Sequence, residues 1–370
     1  MAQREDVNPA VAFVRERPLA VVFVVLALVL GVDLIRKLAM GTLPVGDLAT
    51  HLWDGTVRGL SLGLAGIGLA MTYSILNFAN FAHGDFMTTG AFVGWVTAFL
   101  IAGFGDFATE ALFFLGGPLP INTGTLGISI TSTPIAIVVG LLVAAVAAAG
   151  LARLVDRIVF KPMRGQGGIS LLIASVGVAL VVRHLLLFVF QGSSRGLTAT
   201  QQTPSYTLAL GDGSVTITAH EVTLIVLAAG LMLATHLLLR YTKLGTAMRA
   251  MADNEDLAQV TGIPTERIIR ATWLLGGGLT GASGYLIALE QGTLTTTLGW
   301  GLLLLIFAAV ILGGIGSVYG AMAGGLVIGI AETLSQVWIP QSLTLAAVFL
   351  VMIAMLLVRP KGLLGGVATV

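Results

Sequence analysis

Two short stretches of this chain combine side chains able to hydrogen-bond a solute with residues that break helices. The first runs Asn77, Phe78, Ala79, Asn80, Phe81, Ala82, His83, Gly84, Asp85, Phe86; the second runs Gly313, Gly314, Ile315, Gly316, Ser317, Val318, Tyr319, Gly320. Each lies between two apolar runs with almost no spacer, one in each half of the chain. In hydrocarbon, unpaired backbone groups are costly, so a polar, Gly-rich break at depth must line a cavity or be buried in protein. Paired breaks point to the route of a transporter, because broken helices turn their ends toward a cavity where a polar solute needs replacements for its lost hydration. Asn77, Asn80, His83, Gly84 and Asp85, with Gly313, Gly314, Gly316 and Ser317, are the candidate route residues. The plainer reading makes both breaks tight surface turns whose glycines serve helix packing.

Few other groups can do chemistry. Glu332 falls inside an apolar run, where a carboxylate either serves the route or is protonated or partnered and ties helices together. Arg183 and His184 fall one to two turns from the end of a run, where snorkelling accounts for them, and His236 is similarly placed. No chain of acids crosses the apolar runs to relay protons. The five histidines are scattered without a His-Glu-x-x-His pair and there is no cysteine, so the sequence offers no metal site and no intramembrane hydrolase.

The elements that must position these residues follow from composition. Of 370 residues, 56% are hydrophobic and only 10% charged, which excludes a water-covered globule. Nineteen Lys and Arg against eighteen Asp and Glu leave no basic stripe for nucleic acid. Forty-eight glycines suit close helix packing in lipid. The expected fold is an all-α polytopic membrane protein of about ten spans: 18–35, 57–76, 84–104, 134–154, 169–190, 222–239, 268–289, 301–312, 318–337 and 343–358. The eighth is short, so the count lies between 8 and 10. Basic residues cluster at Arg4, Arg15 and Arg17, at Arg153 to Arg164, at Arg240 to Arg270, and at Arg359 and Lys361; ten spans put all four clusters and both termini in the cytoplasm. Arg36, Lys37 and Arg58 dissent. No small-residue cleavage site precedes Arg36, which favours an uncleaved anchor over a secretory signal. The protein is thus expected in the cell membrane, surrounded by lipid, with residues 1–51 as an arm plus first helix and 52–370 as the core. Residues 205–219 alternate apolar and polar around Gly211, Asp212 and Gly213, which predicts an external β-hairpin; 105–133 reads as a loop or lid.

The most informative segment is 243–269. Ala247 to Ala252 has helical propensity with Met248, Met251 and Ala252 on one face. Asp253 or Asn254 can cap a second short helix, whose first turn then holds Glu255 and Asp256 against the dipole. Gly262 stands at C′ and Pro264 prevents continuation. Two short, ordered helices outside the bilayer suit the docking of a soluble partner. An amphipathic helix lying on the inner leaflet is the alternative, opposed by the acidic run 253–256.

At these residues the chain resembles the permease subunit of branched-chain amino acid ABC importers, of the LivH type. The likeness runs from about Leu52 to the C-terminus. It rests on Asn80 through Gly84 with Asp85 where many relatives carry Glu, on Arg249 through Ile263, on Leu312 through Ser317 with Gly320 to Met322 and Gly324 to Gly325, and on Ile330 to Glu332. The resemblance implies a type II importer fold, a LivM-like second permease, two ATP-binding subunits that bind the ATP and Mg, and an extracytoplasmic solute-binding protein, with no cofactor on this chain. It makes the segment from Arg249 to Gly262, with Arg249, Asp253, Asn254, Glu255, Leu257, Ala258 and Gly262, the ATPase-coupling element, and gives Asn80, His83, Gly84 and Asp85, with Gly313 to Ser317, to the route or its gating; Asn77 and Glu332 are route candidates on their own chemistry. No Gly-x-x-x-x-Gly-Lys-Ser/Thr pattern occurs here, so hydrolysis is expected on partners. The expected function is import of branched-chain or related amino acids, with urea or short amides as an alternative cargo. A secondary transporter or channel is the reading from another class. The first span, the expanded 105–133 segment and the Arg183, His184 pair depart from the pattern.

Overall fold

The computed structural model describes residues 18–103, 128–192, 194–197 and 203–364. The N-terminal arginines and most of the expected loop at 105–133 lie outside the described residues.

Each apolar run forms a helix: α1 (Pro18–Ala39), α2 (Val45–Leu76), α3 (His83–Ala102), α4 (Pro134–Val155), α5 (Gly168–Phe190) and α6 (Ala219–Tyr241). Two short helices follow, α7 (Lys243–Asp253) and α8 (Glu255–Val260), and then α9 (Thr265–Gln291), α10 (Leu298–Gly313), α11 (Val318–Leu334) and α12 (Thr344–Val358). A π-helical turn, Asp156–Phe160, extends α4. Among the described residues, seven helical stretches are long and apolar enough to cross a membrane, and α10 is apolar but shorter at 16 residues. The protein is a multi-pass membrane protein. Its lipid-compatible surface is visible on α1, where Leu28 and Val32 are exposed, and on α5, where Ile173 and Phe188 are exposed.

Four short strands decorate one side. β2 (Ser205–Leu210) and β3 (Gly213–Thr218) form the antiparallel hairpin that the alternation predicts, with Tyr206 opposite Ile217 and Leu208 opposite Val215. Gly211, at φ +59°, takes the first loop position, which two-residue II′ turns reserve for glycine. β1 (Arg195–Gly196) pairs with β4 (Thr293–Leu294), a contact without a pattern long enough to be read in the sequence. The hairpin marks one side of the molecule and α7–α8 the other.

The core is two triplets of helices related by inversion. α2 and α9 cross at its centre in opposite directions: Ser283 Oγ donates to the Ser61 carbonyl at 2.8 Å, and Gly68 lies against Gly276. α9 packs on α4 through Gly277 and Gly281 against Ala144, Ala148 and Ala152, as α2 packs on α11 through Gly55 and Gly59 against Gly329, Ile330 and Leu326. α3 leans on α4 at Gly94 and Gly140, and α10 on α11 at Gly313 and Gly320. Finally α3 and α10 meet each other at Gly84 and Gly299, where a Cβ on either would overlap the other's carbonyl. Such backbone-to-backbone approach gives lipid-embedded helices their dispersion contacts and is open only to small residues. α1 stands outside this core against α12. It is held at one end by Trp338 Nε1 donating to Asp33 at 2.9 Å and by Lys37 Nζ donating to the Val337 carbonyl at 3.4 Å.

Candidate functional site

The first break is re-entrant. α2 ends at Leu76, and Asn77 caps it in the left-handed region at φ +53°, a conformation Asn tolerates better than most residues. The chain then climbs back beside α2, because α3 begins at a histidine whose Nε2 donates to the Ala65 carbonyl at 3.0 Å, about three turns before α2 ends. Backbone groups freed on the way find side chains. Phe81 N–H donates to Ser175 Oγ at 3.0 Å and Ala82 N–H to Asn80 Oδ1 at 3.0 Å. His83 Nε2 also lies 3.2 Å from Thr280 Oγ1 on α9. Asn80, His83 and Asp85 are fully or almost fully buried, and Asn80 Nδ2 is buried without a hydrogen-bond partner.

Asp85, in the first turn of α3, is paired. Arg183 Nε and Nη2 donate to its two carboxylate oxygens at 3.1 and 3.0 Å, and the guanidinium lies 4.2 Å from the centre of the Trp300 ring. Snorkelling, the expectation for Arg183, is therefore corrected: a bidentate carboxylate and an aromatic face hold the cation inward. His184 is exposed and donates to the Leu180 carbonyl within its own helix, at 2.7 Å, while His236 Nδ1 lies 2.8 Å from Tyr319 Oη.

The second break is built differently. Gly314 and Gly316 take φ of +110° and +85°, and Ser317 accepts from Gly320 N–H at 2.9 Å to start α11. The result is a tight turn on the α7–α8 side, with Gly316 beside Ser74 of α2. It is covered by the segment after α12, where Leu363 and Leu364 N–H donate to the Leu312 and Gly313 carbonyls at 2.9 and 3.0 Å. The inverted partner of the first break is instead Gly292–Thr297, before α10. Gly299 N–H donates to Thr88 Oγ1 at 3.0 Å, and neighbouring Met87 meets Gly284, about two turns before α9 ends. The chain thus re-enters there too. Sequence reading missed this stretch because its threonines carry no charge or amide; the one signal was the short eighth span. Glu332 lies apart near the hairpin side, where its Oε2 accepts from Arg58 Nε at 2.8 Å, so it is the partnered acid that ties α2 to α11.

The segment 243–269 is ordered throughout. Thr242 Oγ1 accepts from Gly245 N–H at 3.1 Å to start α7, four residues earlier than the propensity suggests. Met248 and Met251 are buried, and Arg249 Nη1 donates to the Leu239 carbonyl, which ties α7 to the end of α6. Asn254, not Asp253, caps α8 by accepting from Leu257 N–H at 2.8 Å. Gly262 takes φ +85°. Ala258 is buried, whereas Leu257 and Val260 are 61% and 85% exposed. Glu255 lines a cavity of about 160 Å³ with Asn77, Phe78, Phe160 and Arg164, which joins this segment to the foot of the first break. Beside it, Arg164 bridges buried Asp156 at 2.6 Å and Glu266 at 2.8 Å, and Lys161 reaches Glu266 at 3.0 Å. The Lys161 hydrogen bond and the two cations hold the Glu266 carboxyl below its usual range. Among the described residues no three His, Cys, Asp or Glu group closely enough to hold a metal.

A family model described as "Branched-chain amino acid transport system / permease component" matches residues 52–358. LivH of Escherichia coli (strain K12), a high-affinity branched-chain amino acid transport system permease protein, is 29% identical over 316 residues, covering 85% of this chain and 94% of that protein. BraD of Pseudomonas aeruginosa is 25% identical over 322 residues, covering 85% and 96%. A probable LivH of Methanocaldococcus jannaschii is 28% identical over 318 residues, covering 82% and 88%. No solved structure matches the chain. With a family match over the whole helical core and helices fit to cross a bilayer, this chain belongs to the permease components of branched-chain amino acid transport systems, the membrane subunits of ABC importers.

Proposed function

We propose that this chain is one membrane subunit of an ATP-driven importer for branched-chain or related amino acids. One of two ATP-binding subunits docks at α7–α8 on the cytoplasmic side, a LivM-like permease completes the route and carries the other, and an extracytoplasmic binding protein delivers cargo on the hairpin side. Both termini are then cytoplasmic. The observation that carries the reading is the docking segment: two capped helices whose inner faces are pinned by Met248, Met251 and Ala258 while Leu257 and Val260 point outward. A pinned helix moves with the body it is attached to, so a push on α8 passes through Gly262 and Pro264 to the start of α9, which Lys161 and Arg164 grip at Glu266. ATP shifts such a machine only by binding its two states unequally.

Tagged chain purified with its native partners is expected to bring two nucleotide-binding proteins and a second permease. The reconstituted complex is expected to accumulate leucine only with ATP. Replacing 254–262 by a Gly-Ser tether should leave the chain folded and abolish that accumulation. Uptake that survives ATP depletion would make the protein a secondary carrier, and transport of urea without leucine would change the cargo.

A further inference from the structure

The Arg183–Asp85 pair is only half used by the fold. The guanidinium spends its Nε and Nη2 edge on Asp85, while Nη1 makes no hydrogen bond among the described residues. It lies about two turns, or roughly 10 Å, inside α5 from Phe190. It is not sealed in: the Arg183 side chain is 12% exposed, and Trp300 stacked on it is 44% exposed. A cation that reaches the surface of the chain at that depth faces water or protein, because lipid does not tolerate it. The face it opens on is therefore not a lipid face.

Charge at this point is positive in sum. Asp85 and Arg183 cancel, and the starts of α3 and α10, which meet at Gly84 and Gly299, each add about half a positive charge. Beside the guanidinium runs an apolar stripe on one face of α10, Trp300 and Leu304, both exposed, then Phe307, whose ring centre is 5.2 Å from that of Phe81. A cationic fork next to an apolar stripe matches a small solute that carries a carboxylate on an apolar side chain.

We propose that the outer Nη1–Nη2 edge of Arg183 is a subsite for the carboxylate of the cargo, with Asp85 as the positioning residue that aims the fork and the Trp300–Leu304–Phe307 stripe receiving the apolar side chain. The proposal rests on the amino-acid reading above and deepens it. Leucine and valine fit such a site; urea, with no carboxylate, does not.

The test uses the complete importer in proteoliposomes and measures leucine uptake against concentration. Arg183→Lys keeps the charge and loses the fork, so half-saturation should rise on the order of tenfold with the maximal rate less affected. Asp85→Asn and Arg183→Gln each leave an unpaired buried partner and destabilise the fold, so the deciding variant is the double Asp85→Asn, Arg183→Gln. It removes both charges at nearly constant shape and should assemble and melt like the parent, yet lose leucine uptake by tenfold or more. If the double variant transports leucine like the parent, the pair only holds helices together and the proposal is overturned while the amino-acid reading stands. If the parent moves another small carboxylate but not leucine, and does so through Arg183, the subsite survives and the amino-acid reading falls. Uptake of urea alone overturns both.

Discussion

The stretch 77–82 and the turn 313–317 both interrupt a pair of helices on the α7–α8 side, yet one folds back into the core and the other only reverses direction. Return to depth demands partners for freed backbone groups, and in the first stretch Ser175 takes the Phe81 N–H and Asn80 the Ala82 N–H, while His83 pins the restarted helix to the Ala65 carbonyl and Thr280. The second needs only two left-handed glycines and a serine cap, with Leu363 and Leu364 after α12 closing the Leu312 and Gly313 carbonyls. A helix that restarts at depth brings its positive end to the centre of the core; a helix that restarts at the edge leaves it there.

That contrast is open to attack at its joints. The largest effect is expected where the two re-entrant helices touch. Gly299→Ala puts a methyl group into the Gly84 carbonyl and should cost about 3 kcal/mol, read as a lost melting transition or lost yield. His83→Leu strips the hydrogen bond from the Ala65 carbonyl in the buried core and should cost about 2 kcal/mol in the same assay. At the turn the same kinds of change should be milder. Gly316→Ala has room beside Ser74 and is opposed only by its φ, and Ser317→Ala loses one cap, each for about 1 kcal/mol. Equal penalties at Gly299 and Gly316 would erase the distinction.

The smallest effect concerns pH. Glu266 is half exposed, so screening keeps its ion pairs weak, but their direction is set. Because its folded-state carboxyl titrates below the ordinary value of 4.5, its contribution is present above that pH and is lost as pH falls through the lowered value. Thermal stability is thus expected to be level from about pH 8 to pH 5 with respect to this group, and Glu266→Gln should remove part of any decline below about pH 4. An effect of Glu266→Gln confined to neutral pH would contradict the assignment.

Much of this architecture is legible in residue order, for stated reasons. Apolar runs declare helices because hydrocarbon forbids other spanning structures, and the hairpin shows through the alternation of Tyr206, Leu208 and Leu210. Asn254, Gly262 and Pro264 announce the ends of α8 because caps are chosen by local backbone chemistry. Depth is another matter. Whether Asn77–Ala82 turns or climbs depends on Ser175 and Ala65, which are remote in the chain, and the Gly292–Thr297 stretch has no amide or charge to draw the eye. The partners of Arg183 and Glu332 are equally non-local, Asp85 and Arg58, so a reading by position along one helix assigns the first to snorkelling and leaves the second undecided.

The contacts of Gly68 with Gly276 and of Gly84 with Gly299 have a mechanical meaning. Where main chains lie against each other with no side chain between them, there is no rotamer to flip and no slack to take up. The centre of this chain is a bolted joint, so the movement that lets cargo through belongs at its rim, in the exposed helix faces and the seams they make with neighbouring subunits.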